Sequence, residues 1–474
     1  MTNTTKRFRG ALLASTAAGV LALTGCSSDD DTAQLRVIHA SPDAPAVNVQ
    51  LDSNEVISNL DYADSSGYLE VGTGLKDITV EAIIPGGNAD VISVPAFPLI
   101  NDGRVTVIAV NTTTSIEALV ADESSASPAS GEVAIAVIHA SPAAGTVDVY
   151  VTAPDTDINN VDPDFSFDFK GEIDAGALPA DTYRIRVTQP GTKTVVFDSG
   201  PVDLSSFAGQ KLMLVAVSTT SSIAQAASPI KLLVATDTSD LTLLDSGTST
   251  GARVVHASPD AGTAAGGPVE VFATSTALPA SPAELIDAFS YTDIVPAADA
   301  YVGVPAGDYV FDVAPDGTGI GSSVYTSPSV PLAQGSDYTV VATGYVLTTP
   351  AFTLLATEDQ NRSVVTQASV KVIHAAPAAG TVDVYVTPAG DFTASDVENG
   401  LAGAPLLDDF EFGVITDYVA VAPGDYDIRV VAGGATAINV ENFNLAAGSV
   451  STVIARGPID SGTPSDFNVI LLTN

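Results

Sequence analysis

The chain has 474 residues, with 56 Asp and Glu against 17 Lys and Arg, a formal net charge of -39, no Trp and a single Cys. That length exceeds one ordinary hydrophobic core and implies several domains. The charge argues against nucleic-acid binding, which needs cations facing phosphate, and against docking on anionic lipid through basic patches; it leaves a solvated acidic surface, or one that collects cations.

The first 25 residues read as a signal peptide. Lys6, Arg7 and Arg9 precede an apolar run of 13 residues, Ala11 to Leu23, which is too short for a comfortable membrane span. The run ends in Leu23-Thr24-Gly25-Cys26, which resembles the bacterial lipobox. In such proteins the cysteine is lipidated and becomes the new N-terminus. Two or three acyl chains on Cys26 would anchor the protein stably, at about 0.8 kcal/mol per buried methylene. Residues 26–34 are then a polar tether. Ser27 follows the cysteine, where aspartate resembles an inner-membrane retention signal, so the expected address is the outer membrane or cell surface. With no second cysteine the chain cannot form an internal disulfide, and packing alone must hold it.

After the tether one phrase returns four times: LRVIHASPDAPAVNVQL from Leu35, AIAVIHASPAAGTVDVYV from Ala134, ARVVHASPDAGTAAGGPVEVFA from Ala252 and VKVIHAAPAAGTVDVYV from Val370. All four histidines of the chain, His39, His139, His256 and His374, lie in it, each followed three positions on by Pro42, Pro142, Pro259 or Pro377. Their spacings of 100, 117 and 118 residues suit β-sandwich domains and far exceed a solenoid period. The predicted repeats are 35–121, 133–236, 252–356 and 370–474. Between them lie seams of small, polar and acidic residues at 122–132, 237–251 and 357–369.

Within each repeat the apolar residues alternate. The second reads as seven strands: AIAVIHA, TVDVYVT, FSFDFKG, YRIRVTQ, KTVVFDS, KLMLVAVS and IKLLVAT. The expected class is all-β, four tandem immunoglobulin-like or transthyretin-like sandwiches. A short helical turn is a candidate at SPAELIDA, 281–288. A second landmark repeats as YLEVGTGLKDITV from Tyr68, ALPADTYRIRV from Ala177, YVGVPAGDYVFDV from Tyr301 and YVAVAPGDYDIRV from Tyr418. Four such domains in line would project on the order of 100 Å from the anchor.

The phrase V-x-V-[IV]-H-A-S-P-D-A-P, followed by V-x-V-x-V and later by Y-L-x-V, resembles an uncharacterised bacterial family, domain of unknown function 4397. The resemblance covers nearly all of 35–474 and implies an exported or lipid-anchored protein with the domain in tandem. It brings no activity with it. The second and fourth copies lack the aspartate after proline, which weakens any shared role for Asp43 or Asp260.

Candidate sites are few. Alternation puts His39 on the face of Leu35 and Val37, so each imidazole is expected toward its own core, bonded to the backbone of the SP turn. Arg36, Ala136, Arg253 and Lys371 then face outward. One histidine per repeat and no cysteine make a zinc or copper site implausible. Ser41, Ser141 and Ser258 are replaced by Ala376 in the fourth copy, so a shared Ser-His pair is excluded. The loop holding Asp155, Asp157, Asn159, Asp162 and Asp164 offers oxygens at alternate positions, a candidate calcium site without the EF-hand glycine and glutamate. Tyr150, Phe272 and Tyr385, each beside an acid on the outward face of the second strand, are candidate ligand-facing rings. No phosphate loop, serine elbow or HExxH occurs. The expected function is non-enzymatic: a lipid-anchored rod acting as spacer, adhesin or binder of a surface glycan or protein. A calcium-binding envelope protein and a hydrolase of surface polymers are the alternatives.

Overall fold

A computed structural model describes residues 31–123, 127–220, 226–458 and 467–474. The signal peptide, Cys26 and most of the tether lie outside the described residues. The fold is all-β, and the described residues form eight sheets.

The first two sheets are formed by β1 (Thr32–His39), β2 (Val47–Leu51), β3 (Asn54–Leu60), β4 (Leu69–Gly72), β5 (Gly74–Ile84), β6 (Gly87–Leu99), β7 (Arg104–Val110) and β8 (Glu117–Asp122). Their orders are β4-β1-β7-β8 and β3-β2-β5-β6, and β1 runs parallel to β7. Consecutive strands β1 and β2 therefore lie in opposite sheets. An immunoglobulin sandwich keeps its first two strands in one sheet, so the transthyretin-like alternative is the one this topology matches. Leu35, Val37, Val47, Val49, Ile78 and Val107 interdigitate between the two sheets.

The next stretch repeats the plan with β9 (Glu132–His139), β10 (Val147–Thr152), β11 (Phe165–Phe167), β12 (Glu172–Pro179), β13 (Thr182–Thr188), β14 (Val195–Asp203), β15 (Lys211–Ser218), β16 (Ile230–Ala235) and β17 (Asp240–Leu243). The sheets are β12-β9-β15-β16-β17 and β11-β10-β13-β14. Sequence reading misses β12, because EIDAGALP is poor in β-formers and bulges between Asp174 and Gly176. The third and fourth copies begin at Thr250–His256 and Ala368–Ala375 and follow the same order. The segment expected as a helical turn is instead the strand Ala283–Phe289, whose backbone pairs antiparallel with Val269–Thr274 and which buries Ile286 and Phe289. Among the described residues the α-helices are two five-residue turns, Ala261–Ala265 in the glycine-rich insertion and Ala394–Glu398.

One expectation fails in an informative way. Of the residues read as outward on the first strand, Arg36, Arg253 and Lys371 are buried and Ala136 is half-buried, and the apolar residues sharing that face are enclosed too. Ile38, Ile138, Val255 and Ile373, each just before its histidine, have no exposure. The first sandwich lays its β1-β7-β8 face on the β9-β15-β16 face of the second. Ile38, Ile108 and Val110 meet Ile138, Met213, Val215 and Leu233 in one apolar cluster. The third and fourth do the same through Val255, Val341, Ile373, Ile454 and Leu472. The copies are thus joined face to face in two pairs, and an in-line rod of separate beads is ruled out by these shared cores. Strands buried on both faces carry nearly continuous apolar runs, as LMLVAV in β15 does.

Candidate functional site

The four imidazoles share one geometry. His39 Nδ1 accepts from the Ser41 N–H at 3.3 Å, which obliges Nε2 to carry the proton it donates to the Pro45 carbonyl at 2.9 Å. His139 bonds Ser141 N–H and the Gly145 carbonyl, and His374 bonds Ala376 N–H and the Gly380 carbonyl, in the same way. His256 takes the Ser258 N–H. Each ring also meets an aromatic edge: Tyr62, Phe169, Tyr291 or Phe412, at 6.1–6.2 Å. Burial holds His39 and His256 neutral, with pKa values lowered to about 4. The turns around Pro42, Pro142, Pro259 and Pro377 supply the backbone these rings fasten, and the four rings sit apart in four cores.

The candidate calcium loop does not gather its oxygens. Asp157 caps the 3-10 turn Ile158–Asn160, accepting from Asn159 N–H at 3.0 Å and Asn160 Nδ2 at 3.0 Å. Asp164 turns away to take the Val151 N–H at 2.7 Å, and Asp155 lies in the field of Arg184. Asp162 is exposed. Among the described residues only Glu270, Glu284 and Asp287 bring three acidic oxygens within 4.8 Å. There the buried Glu270 already accepts backbone N–H bonds from Gly317, Thr318 and Gly319.

The candidate ligand-facing rings are also covered. Tyr150 is 1% exposed, beneath Lys193, whose ammonium lies 4.5 Å from the ring centre. Phe272 is 8% exposed and Tyr385 half-buried. The acids beside them cap hairpins: Asp148 accepts from Gly191 N–H at 2.7 Å, Asp383 from Asp409 N–H at 3.0 Å. Alternation assigns a face to these side chains, but not what folds over that face.

The pair interfaces hold a polar cluster that sequence reading left unconnected. Arg36 stacks on Tyr68, 4.6 Å from the ring centre, and binds Glu123 at 2.5 Å and the Thr236 carbonyl of the next sandwich at 3.2 Å. In the second pair Arg253 stacks on Tyr301 at 4.4 Å and reaches Asp359 and the Thr473 carbonyl. Lys371 mirrors it, over Tyr418 at 4.4 Å and 3.6 Å from Asp359. Burial lowers the Lys371 pKa, opposed by Asp359. The signal was present: the outward cation of the first landmark faces the tyrosine of the second.

Where the two pairs meet lies an open polar cleft of about 570 Å³. Each of the four sandwiches lines it: Asp61 and Tyr62 from the first, Thr220 and Lys231 from the second, Ser336 and Asp337 from the third, Tyr418 from the fourth. The Gln360–Arg362 linker closes one side. Arg362 latches the pairs together. It donates to the Ala44 carbonyl at 2.5 Å, pairs with Asp61 and lies 5.5 Å from the centre of the Tyr62 ring. Lys231 flanks the same ring at 5.6 Å, and burial lowers its pKa. Nearby, burial and the charges of Asp61 and Asp240 push Asp64 up to about 6. Pockets of this size at domain junctions, with perturbed groups, are where ligands commonly bind.

The model of a family described as domain of unknown function (DUF4397) matches residues 33–150 and 250–385, more than half of the chain. The chain belongs to this family. Each DUF4397 match starts on the first strand of one sandwich and runs into the second strand of the next, spanning the start of a pair. No curated protein matches the chain. Among solved structures, it is similar to the Bacillus anthracis TIE protein at 10% identity, covering 87% of this chain and 66% of that one, just under two thirds, with a TM-score of 0.15. A structure titled alpha-glucan binding by a streptococcal virulence factor is 11% identical over 38% of this chain and 92% of that one, TM-score 0.15. A product complex of SpuA, a multi-modular glycogen-degrading pneumococcal virulence factor, is 10% identical over 65% and 38%, TM-score 0.15. At that TM-score the likeness says nothing about what this chain binds.

Proposed function

We propose that the protein is an exported, non-enzymatic binding protein, anchored through lipidated Cys26 to the outer membrane or cell surface, that holds a glycan of that surface in the cleft between its sandwich pairs. The cleft itself carries this reading. It is lined by the donors Lys231, Arg362, Thr220, Ser336 and Asn361, the acceptors Asp61, Asp337 and Glu358, and the ring of Tyr418, with Arg362 paired to Asp61 and Asn361 to Asp337. Hydroxyl-rich ligands need donors and acceptors together, with a ring edge or face to cover their carbon side. The site needs all four sandwiches, which gives a reason for the tandem arrangement other than length.

The test is a glycan array probed with the Cys26→Ala chain and with its Lys231→Ala and Asn361→Ala variants. Specific binding lost in both variants supports the cleft. Binding that survives both places the ligand elsewhere, and an array without hits alongside capture of a surface protein makes the ligand a protein. Anchoring is tested separately, since Cys26→Ala should move the protein from the membrane fraction to the soluble one.

A further inference from the structure

The second sandwich holds a cavity of about 140 Å³ between its sheets, whereas the corresponding spaces in the fourth and third are about 60 and 20 Å³. The copies differ at the edge strand beside this space. In the first sandwich Leu35 stands opposite Leu69, which fills the core under the edge strand. The third and fourth put Val302 and Val419 at that rung, 49% and 40% exposed. The second puts Gly176 there, opposite Ile135, at a bulge with φ +74°. No side chain enters from that rung, and the turn of the backbone disfavours any residue that would supply one.

The space is lined by Val137, Val149, Phe165, Ile185, Leu214 and Val234, among other apolar side chains. Its polar lining is already engaged: His139 donates to Gly145 and accepts from Ser141, and Asp164 takes the Val151 N–H at the exposed rim. Water therefore finds few partners inside, and apolar cavities of roughly 150 Å³ stay dry and accept a benzene-sized molecule. Part of the lining, Phe165, Phe167, Ala175 and Leu178, lies at the edge between the two sheets. The edge strand β11 is three residues long, and its Phe165 and Phe167 are only half-buried. Across the gap, β12 is the bulged edge of the other sheet, with Ala175 and Leu178 half-buried.

We infer that the second sandwich is a second binding site, distinct from the cleft, that takes a neutral hydrocarbon group of single-ring size through the β11–β12 edge. The occupant is an aromatic or branched alkyl group, since the lining provides contact area and no free polar partner. The site stands whether or not the cleft binds a glycan, because the two share no lining residue.

Benzene titrated into the Cys26→Ala chain should bind saturably with one site per chain, read by ligand-observed NMR. At about ten times Kd it should raise the melting temperature by about 3 °C. Ala175→Leu and, separately, Val149→Phe should reduce benzene binding at least tenfold. Lys231→Ala in the cleft should leave it unchanged. Octanol in parallel distinguishes a ring from an alkyl chain as the preferred occupant. No saturable binding of either probe to the Cys26→Ala chain overturns the proposal and leaves a packing void only. So does binding that survives both filling variants in chains that still melt cooperatively.

Discussion

The two sandwich pairs share one geometry and close it with different chemistry. In both, the residue before the histidine is fully buried against the next sandwich. A tyrosine of the leading sandwich donates across the junction in each, Tyr62 to the Ser218 carbonyl at 2.7 Å and Tyr291 to the Gly457 carbonyl at 2.5 Å. In the first pair Ala136 and Met213 meet Arg36 and its partner Glu123. In the second, Lys371 and Thr452 occupy those rungs, so Asp359 is shared by two cations, Arg253 and Lys371, and by the Tyr301 and Tyr418 hydroxyls. One interface buries a single ion pair, Arg36–Glu123, with Arg104–Asp237 and Lys170–Glu117 joining the two sandwiches at its more exposed margin; the other encloses a charged network. Face-to-face pairing should therefore not depend on the buried Asp359 network, whose removal as a set should be tolerated while removal of one member is not.

The sharpest way to break this comparison is Asp359→Ala. It leaves Arg253 and Lys371 buried without a counter-charge and should cost about 3–5 kcal/mol in urea unfolding. Glu123→Ala in the first pair should cost less, since its carboxylate reaches the rim. Converting the second network toward the first, with Lys371→Ala and Asp359→Leu joined by Arg253→Met, should recover most of that loss. If the triple variant is as unstable as Asp359→Ala, the charges are not independent of the pairing.

Next in size are the shared faces themselves. Ile38→Ala and Ile373→Ala should each cost about 2–4 kcal/mol, and by similar amounts, because both positions are equally enclosed. A marked inequality would mean that one pair is held mainly by its network.

Acid should act on both pairs alike. The folded-state pKa of His39 is lowered to about 4 from 6.5, chiefly by burial. Its contribution is present above pH 6.5 and is lost as pH falls through about 4, reaching about 3 kcal/mol below that. His39→Gln should lower stability at pH 7 and flatten the pH dependence between 6.5 and 4. An unchanged slope would remove the histidine from the acid response. Asp64 works the opposite way: its raised pKa favours the folded form below pH 4, and that gain is lost as pH rises through about 6.

The smallest effect is expected between the pairs. Arg362→Ala should cost about 1 kcal/mol or less in unfolding, as a partly exposed ion pair does. It should nevertheless increase the radius measured by solution scattering, because Arg362 ties the linker to Ala44 and Asp61.

Strand alternation, turn residues and the repeated histidine phrase made the all-β class and the family legible. They also assigned His39 to the face of Leu35 and Val37. The same alternation treated Arg36 and Ile38 as outward, because a period of two separates faces without saying what covers the second one. The candidate rings failed for that reason: Tyr150 faces away from its own core and is then roofed by Lys193. The calcium loop failed for another. Its spacing was compatible with convergence, but short acids near backbone N–H groups satisfy those groups first, as Asp157 and Asp164 do. The cleft was invisible, since its residues come from positions as far apart as Asp61 and Tyr418.

By itself the sequence determined what depends on neighbours along the chain: strand periodicity, turn chemistry, the fourfold phrase and the acidic balance. Tertiary structure alone decided which apolar faces meet, how the cations on those faces are neutralised, and which core is left partly unfilled. Those outcomes depend on register and on contacts between distant segments, and in a strand with apolar residues on both faces the local pattern is the same whether the second face meets water or another sheet.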